Sequence, residues 1–296
     1  MTDLAENVNL ARFSSFNVGG NADFFTQPKT ENDFFDAIEW AKSKNMPIFI
    51  LGGGTNLVIS DDGIEGLTIH TGKMDEIRID NDEIWVQCGA KTNDLVNFCR
   101  EKGLSGFEKF AGLPGTVGGA LFMNARCYEK SICENLIAAD FFDLDKSYKE
   151  TYTFCQSHWD YKKSPFMNNR RAILAGRFRK SIGTPEEIQK SCDFYLNSRR
   201  EKHQFDFPSA GSVFKNNHSF GKSSGAIIDE AGLKGTSRGG AKVADFHGNF
   251  IINTGGATAK DIFSLVQIVK KEVQNKFGFQ LECEIRFVGR GFLGEV

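Results

Sequence analysis

Apolar residues recur at helical spacing over residues 31–45, ENDFFDAIEWAKSKN, where Phe34, Phe35, Ile38 and Ala41 share one face and predict a helix. The pattern then shortens. MPIFILGGGTNLVIS and EGLTIHTGKM read as strand, glycine loop, strand, turn and strand. In DEIRIDNDEIWVQCG two alternating runs flank Asp80-Asn81-Asp82, which predicts a hairpin. KTNDLVNFCREKG predicts a helix with Thr92 as its N-cap and Gly103 as its stop. LIAADFFDL, YKETYTF and RAILAGRFRK read as strands, and TPEEIQKSCDFYLNSRREKH as a charged helix with proline in its first turn. A new pattern starts in that region, so a domain boundary is expected at 183/184. Beyond it come a short helix in SSGAIIDEAG, a strand in NFIINTG, a long amphipathic helix in TAKDIFSLVQIVKKEVQNKFG and a last strand in LECEIRFVG. Alternation along that strand puts Glu282, Glu284 and Arg286 on one face and Cys283 and Ile285 on the other. The mixture of elements is α+β, with no internal repeat.

A chain of 296 residues accommodates two domains or one large lobed one. Hydrophobic residues at 40% and charged residues at 25% are ordinary for a globular protein. A formal net charge of -2 supplies no basic field, so neither nucleic acid nor an anionic membrane surface is expected as a partner. Apolar runs such as PIFIL fall far short of the roughly 20 residues of a spanning helix. The N-terminal MTDLAENVNLARF lacks a basic region followed by an apolar core, so no signal peptide is expected. Seven cysteines, scattered and without a CxxC, point to reduced thiols in the cytoplasm, with no metal site.

Candidate chemistry starts with two glycine loops. LGGGTN, Leu51 to Asn56, follows a strand but has neither the G-x-G-x-x-G order nor the lysine of a P-loop, and it leads into another strand. An anion held there would sit on consecutive backbone N–H groups, an approach that glycine leaves open; the same stretch also suits a plain tight turn. GLPGTVGGA, with Gly112, Gly115, Thr116, Gly118 and Gly119, repeats the chemistry about sixty residues on. Together the loops could bracket the diphosphate and ribityl parts of a long cofactor. A third stretch, PSAGSVFKNN, carries Ser212 among small residues. It lacks the glycine spacing of a hydrolase elbow and an adjacent histidine base, so by itself Ser212 reads as a turn residue. The shared face of Glu282, Glu284 and Arg286 reads equally as a solvated edge.

FNVGGNADFF, ILGGGTNLVISDDG, FAGLPGTVGGALFMNA, PSAGSVFKN, IIDEAGLKG and LECEIRFVG stand in the order and spacing of the UDP-N-acetylenolpyruvoylglucosamine reductases, flavoenzymes of peptidoglycan synthesis. The resemblance runs from about residue 10 to 289. It implies an α+β fold in which a two-lobed FAD-binding domain of the vanillyl-alcohol-oxidase type, residues 1–183 with the lobes split near 73, precedes an α+β substrate-binding domain, residues 184–296. The chain is more similar to the branch that lacks an extra tyrosine-bearing loop, since little sequence is spare between 165 and 185.

What the resemblance implies for the site follows from the reaction. Reducing an enolpyruvyl ether adds hydride to one alkene carbon and a proton to its neighbour. The family's proton donor maps to Ser212, and its alkene-polarising carboxylate to Glu284 on the last strand. Arg286 maps to the group that binds the substrate carboxylate, where a planar guanidinium fits as a fork. Lys215 and Asn216 map near the pyruvyl and phosphate groups, and Tyr128 to a substrate-contacting tyrosine. Noncovalent FAD would be held by Gly52, Gly53, Gly54, Thr55, Asn56 and Leu57 and by Pro114, Gly115, Thr116, Gly118 and Gly119. NADPH would supply the hydride to a monomeric enzyme whose second substrate is UDP-N-acetylglucosamine enolpyruvate.

Two departures stand out. Where the family usually has YR-x-S, this chain reads YKKS, so Lys162 keeps the positive charge and loses the fork geometry. Arg126 stands in NARCY without an assigned role. Two other functions fit the scaffold: another FAD oxidoreductase, such as an alcohol or sugar oxidase, and a noncatalytic sugar-nucleotide binder. The first would favour a histidine or cysteine flavin attachment, and neither glycine loop contains a histidine. The second would favour loss of Ser212 or Glu284, and both are present.

Overall fold

The structure, a computed structural model, describes residues 4–167 and 169–292. Among these, no helix is long and apolar enough to cross a membrane. The chain divides into two compact units. The first holds Thr26–Gly53 and Thr68–Arg199; the second holds Ala5–Phe25, Gly54–Leu67 and the chain from Arg200 onward. By compactness the division therefore falls at 199/200, sixteen residues beyond the boundary expected at 183/184, and the chain enters the second unit twice before that.

In the first unit a five-stranded antiparallel sheet runs in the order Tyr148–Thr153, Leu136–Asp143, Arg171–Arg179, Glu83–Gln87 and Ile77–Asp80. The hairpin at one edge turns through Asn81 and Asp82, and Asn81 takes the left-handed φ of 52° that such a two-residue turn needs. Ile84, Val86, Leu174 and Phe178 are fully buried, each contributing about 1.5–3 kcal/mol of apolar burial. Helix α1, Glu31–Ser43, begins at a capping box. Thr30 Oγ1 accepts the Asp33 N–H at 3.1 Å, and Asp33 Oδ2 accepts the Thr30 N–H at 3.0 Å. Its buried face is Phe34, Ala37, Ile38 and Ala41, while the expected Phe35 is only partly covered. Helix α2 spans Thr92–Glu101, and its N-cap is Lys91, which makes no side-chain cap. Thr92, expected as the cap, is the first helical residue and is buried, so the helix start is set by tertiary position and not by a hydroxyl. Helix α3, Val117–Phe122, follows the second glycine loop, and α4, Pro185–Glu201, closes this part of the chain.

The second unit packs its core around α6, Ala259–Phe277, whose Ile262, Leu265, Val266, Val269 and Val273 are buried against Val58, Val213, Phe214, Ile285 and Phe287. A Thr258–Asp261 capping box starts α6, and Asp61 adds Oδ1 and Oδ2 to the N–H groups of Ala259 and Lys260 at 2.8 and 3.0 Å. Gly278, at φ 73°, ends it. A short helix, α5, covers Ser224–Glu230. Strands Ser237–Arg238, Ala241–Val243 and Ile251–Asn253 form an antiparallel sheet. The last strand is shorter than the alternation predicted. It covers only Arg286–Val288, parallel to Leu57–Ile59, with Arg286 opposite Leu57. Glu284 thus lies in a bend before the strand and not on it. All seven cysteines are free thiols, five of them buried.

Candidate active site

The two glycine loops meet inside the first unit. A Cβ on Gly53 would stand 2.7 Å from Gly115 Cα, and one on Gly52 would stand 2.7 Å from Thr116 Oγ1. Gly118 is equally confined, its Cβ position lying 2.8 Å from Cys88 Cβ. These glycines let backbone meet backbone, a requirement the sequence does not display. The packing also decides which amides are spent. Val117 N–H donates to Ala90 O and Gly118 N–H to Cys88 O, both at 2.8 Å, and Gly119 N–H donates to Thr116 Oγ1 at 3.3 Å. Among the described residues the N–H groups of Gly53, Gly115 and Thr116 have no acceptor. Adjacent unpaired amides beside close-packed glycines suit a diphosphate, so the first unit fits a dinucleotide such as FAD. Pro114 is exposed beside them.

Tyr128 and Lys162 also lie in the first unit, both with left-handed backbone, φ 45° and 55°. Tyr128 and Glu129 (φ 66°) form the two-residue tip between strands Arg126–Cys127 and Lys130–Ser131. Positive φ in both costs something without glycine, and that cost is offset by anchoring. The Tyr128 ring lies 4.6 Å from that of Tyr195, the Arg199 guanidinium is 5.3 Å above it, and Lys109 Nζ donates to Tyr128 O at 2.9 Å. Arg126 is exposed. Lys162 sits in the tight turn Asp160–Lys163. That turn is tied to the end of α3: Asn124 Nδ2 donates to Asp160 O at 2.8 Å, and Ser164 Oγ donates to Phe122 O at 2.6 Å. Asn124 is a residue that sequence reasoning missed. It is buried and so needs partners, a requirement that only the structure reveals.

The second unit gathers the other candidates. Ser212 is half-buried, opposite Phe250 in an isolated bridge, and the preceding Gly211, at φ 71°, has among the described residues no atom within 4 Å of its Cβ position apart from its chain neighbours. That side of Ser212 is open. Phe214 pairs with Cys283, so Lys215 N–H donates to Glu282 O at 2.9 Å and Glu284 N–H to Val213 O at 2.8 Å. Ser212 is thereby one residue removed from the backbone contact that fixes Glu284. Asn56 ties in the rest: its Nδ2 donates to Glu284 O and its own carbonyl accepts the Arg286 N–H, both at 2.9 Å. Leu57 then pairs with Arg286. Gly54 and Thr55 precede this clamp, and a Cβ on Gly54 would lie 1.9 Å from Phe13 O. Arg286 is half-buried, and burial lowers its pKa from the ordinary value. Lys215 Nζ pairs with the exposed Glu282 carboxylate. Asn216 Oδ1 accepts the Ser224 N–H at 2.9 Å, and Ser224 Oγ donates to Lys215 O at 2.6 Å, which anchors both residues to the start of α5.

Residues 22–148 match the family described as FAD binding domain, and residues 203–288 match UDP-N-acetylenolpyruvoylglucosamine reductase, C-terminal domain. An FAD-binding domain carrying paired glycine loops, followed by an α+β domain in which Glu284 N–H bonds to Val213 O beside Ser212 and Arg286 N–H to Asn56 O, defines an FAD-dependent oxidoreductase. UDP-N-acetylenolpyruvoylglucosamine reductase of Treponema denticola is 40% identical over 296 residues, covering 95% of this chain and 92% of that protein. The enzyme of that name from Borreliella burgdorferi is 39% identical, covering 95% and 93%. The crystal structure of the Thermus caldophilus enzyme superposes with a TM-score of 0.81 at 31% identity, over 97% of this chain and 99% of that one. The chain belongs to the UDP-N-acetylenolpyruvoylglucosamine reductase family.

Proposed function

We propose a division of labour for this reductase in which residues 1–183 bind FAD and residues 184–296 bind the sugar nucleotide. The family matches at 22–148 and 203–288 support that division. Bound FAD supplies the hydride path from NADPH to the alkene of the enolpyruvyl ether. The product is UDP-N-acetylmuramate, a peptidoglycan precursor, and the enzyme serves cell wall biogenesis, and with it cell shape and division, as a cytoplasmic monomer.

The chain's own residues bind, orient and move a proton. Gly52, Gly53 and the Pro114–Gly119 run hold the cofactor's phosphates and ribityl chain through backbone amides, with Gly54, Thr55, Asn56 and Leu57 continuing the first loop. Arg286 takes the substrate carboxylate, and Lys215 and Asn216 serve its pyruvyl and phosphate groups, with Lys215 exchanging the Glu282 carboxylate for the ligand. Tyr128 contacts the substrate. Lys162 supplies positive charge where negative charge develops. Glu284 polarises the enolpyruvyl group. Ser212 donates its hydroxyl proton to the carbon that becomes carbanion-like; that carbon is a far stronger base than the serine alkoxide left behind, so an unactivated hydroxyl suffices.

The observation that carries this reading is the hydrogen bond from Glu284 N–H to Val213 O at 2.8 Å, which sets Ser212 and Glu284 on neighbouring stretches of paired backbone. Ser212→Ala tests it. Loss of flavin absorbance on adding NADPH should proceed at close to the normal rate. Its return on adding the enolpyruvyl sugar nucleotide should slow by roughly a hundredfold or more, as for a lost general acid. A variant slow in the first half and normal in the second removes Ser212 from the role of proton donor.

A further inference from the structure

A buried asparagine grips the backbone that carries Ser212. Asn249 is 3% exposed. Its Oδ1 accepts the Phe214 N–H at 2.8 Å and its Nδ2 donates to Phe214 O at 2.8 Å, so one side chain occupies both polar groups of one residue. Its own carbonyl accepts the Val213 N–H at 2.9 Å. Its own N–H is spent too, donating to His247 Nδ1 at 3.1 Å. Every polar group of Asn249 is therefore engaged, and three of the four bonds go to the two residues directly after Ser212. Among the described residues no regular ladder passes through Ser212–Phe214, which make isolated bridges to Phe250 and Cys283. The Asn249 amide supplies the missing strand partner there.

We infer that Asn249 is the positioning residue of the proton-transfer step, fixing the backbone that carries Ser212 so that the hydroxyl stays at the reacting carbon. The inference rests on the reading of Ser212 as proton donor. An amide suits the task better than any other side chain of that size. It offers one donor and one acceptor in a plane, spaced to match a peptide, and it carries no charge into a buried site. Aspartate would set a carboxylate against Phe214 O, and leucine would leave two buried backbone groups unpaired. Displacement of a reacting group by about 1 Å costs a rate factor on the order of a hundred, so loosening this peptide is read out directly in the chemical step.

The test is a double-mutant cycle read in the two half-reactions. Asn249→Ala should retain FAD and lose flavin absorbance with NADPH at the wild-type rate. The return of absorbance with the enolpyruvyl sugar nucleotide should slow by about tenfold or more. In a Ser212→Ala background the same substitution should slow that return by less than about twofold, since there is no hydroxyl left to position. Equal slowing in both backgrounds, or wild-type return in Asn249→Ala, overturns the inference while leaving Ser212 in place. Normal return in the Ser212→Ala single variant overturns the donor reading itself, and the inference with it. Should Asn249→Ala fail to fold, amide exchange in the wild-type protein still decides: protection of the Phe214 and Val213 N–H groups equal to that of the core strands supports the grip, and loop-like exchange there overturns it.

Discussion

The Val213 carbonyl accepts the N–H of Glu284 at 2.8 Å, and that of the next residue, Ile285, more weakly at 3.4 Å. One carbonyl taking two consecutive amides marks a bend, and the bend turns Glu284 out of the strand that Arg286 begins. The carboxylate is thus presented by a backbone fixed from two sides, by Val213 O and by Asn56 Nδ2. Glu284→Gln keeps both bonds, because they are made by the main chain. It should therefore fold and bind FAD normally, lose flavin absorbance with NADPH at the normal rate, and regain it with substrate on the order of a hundredfold more slowly. Impaired cofactor binding in this variant would move Glu284 from the substrate to the flavin.

The glycine loops make a prediction that separates packing from cofactor binding. Gly53→Val and Gly118→Val place a branched side chain 2.7 Å from Gly115 Cα and 2.8 Å from Cys88 Cβ, so both should lose about 1–3 kcal/mol of stability even without FAD. Gly119→Ala meets only Thr116 Oγ1, at 3.4 Å, and should melt within about 0.5 kcal/mol of wild type. Thermal unfolding of the apoprotein beside an FAD titration checks this. Weakened FAD binding in Gly119→Ala at normal stability reports on the cofactor alone. Full FAD binding in both Gly53→Val and Gly119→Ala would mean that the loops do not hold it.

Much of this was legible beforehand, and the failures have a common cause. The individual strands of the five-stranded sheet, the Asn81–Asp82 hairpin and helices α1 and α6 follow from periodicity, a local property, whereas the pairing of Arg171–Arg179 with Glu83–Gln87 does not. Thr92 was misjudged as a cap because a hydroxyl at a helix start is a local signal, whereas the loop containing Thr116 fixes the chain there through Thr92 N–H to Gly115 O. Glu284 was placed on a strand because alternation continues through it; the bend depends on Val213, seventy-one residues away in sequence. The same holds for Asn56, Asn124 and Asn249. Each bonds to backbone distant in the chain, and a single sequence does not show which asparagine has a partner.

Lys162 joins charge to backbone strain. Its φ of 55° lies in the region glycine prefers, and the turn is tied to the end of α3 by Asn124 Nδ2 to Asp160 O and by Ser164 Oγ to Phe122 O. If the charge is what the position supplies, Lys162→Arg should retain most activity and Lys162→Met should lose about tenfold or more. Lys162→Gly provides a control. It removes the charge while suiting the left-handed backbone, so it should match the methionine variant in activity and stay within about 1 kcal/mol of wild type in stability. Steady-state NADPH consumption and thermal unfolding read the two effects. Wild-type activity in Lys162→Met would take the lysine out of the site.

His70 gives the first unit a pH dependence independent of the chemistry. Gln27 Nε2 lies 2.8 Å from His70 Nδ1, so the ring accepts there as a neutral imidazole. Burial, aided by the nearby Lys73 charge, pushes its pKa down to about 4. The ordinary value, about 6.5, applies in the unfolded chain, which therefore binds the proton first as pH falls. The contribution to stability is complete above pH 6.5 and is lost as pH drops toward 4, by at most about 3 kcal/mol. His70→Gln keeps an acceptor for Gln27 and cannot titrate. Denaturant midpoints at pH 7 and pH 4.5 should fall steeply for wild type and much less for the variant. Carboxylates that lose hydrogen bonds at the acid end affect both proteins alike, so the difference between them isolates His70. Parallel pH profiles for the two would show that His70 takes up its proton equally in the folded and unfolded chain, so that its burial lends the fold no pH dependence.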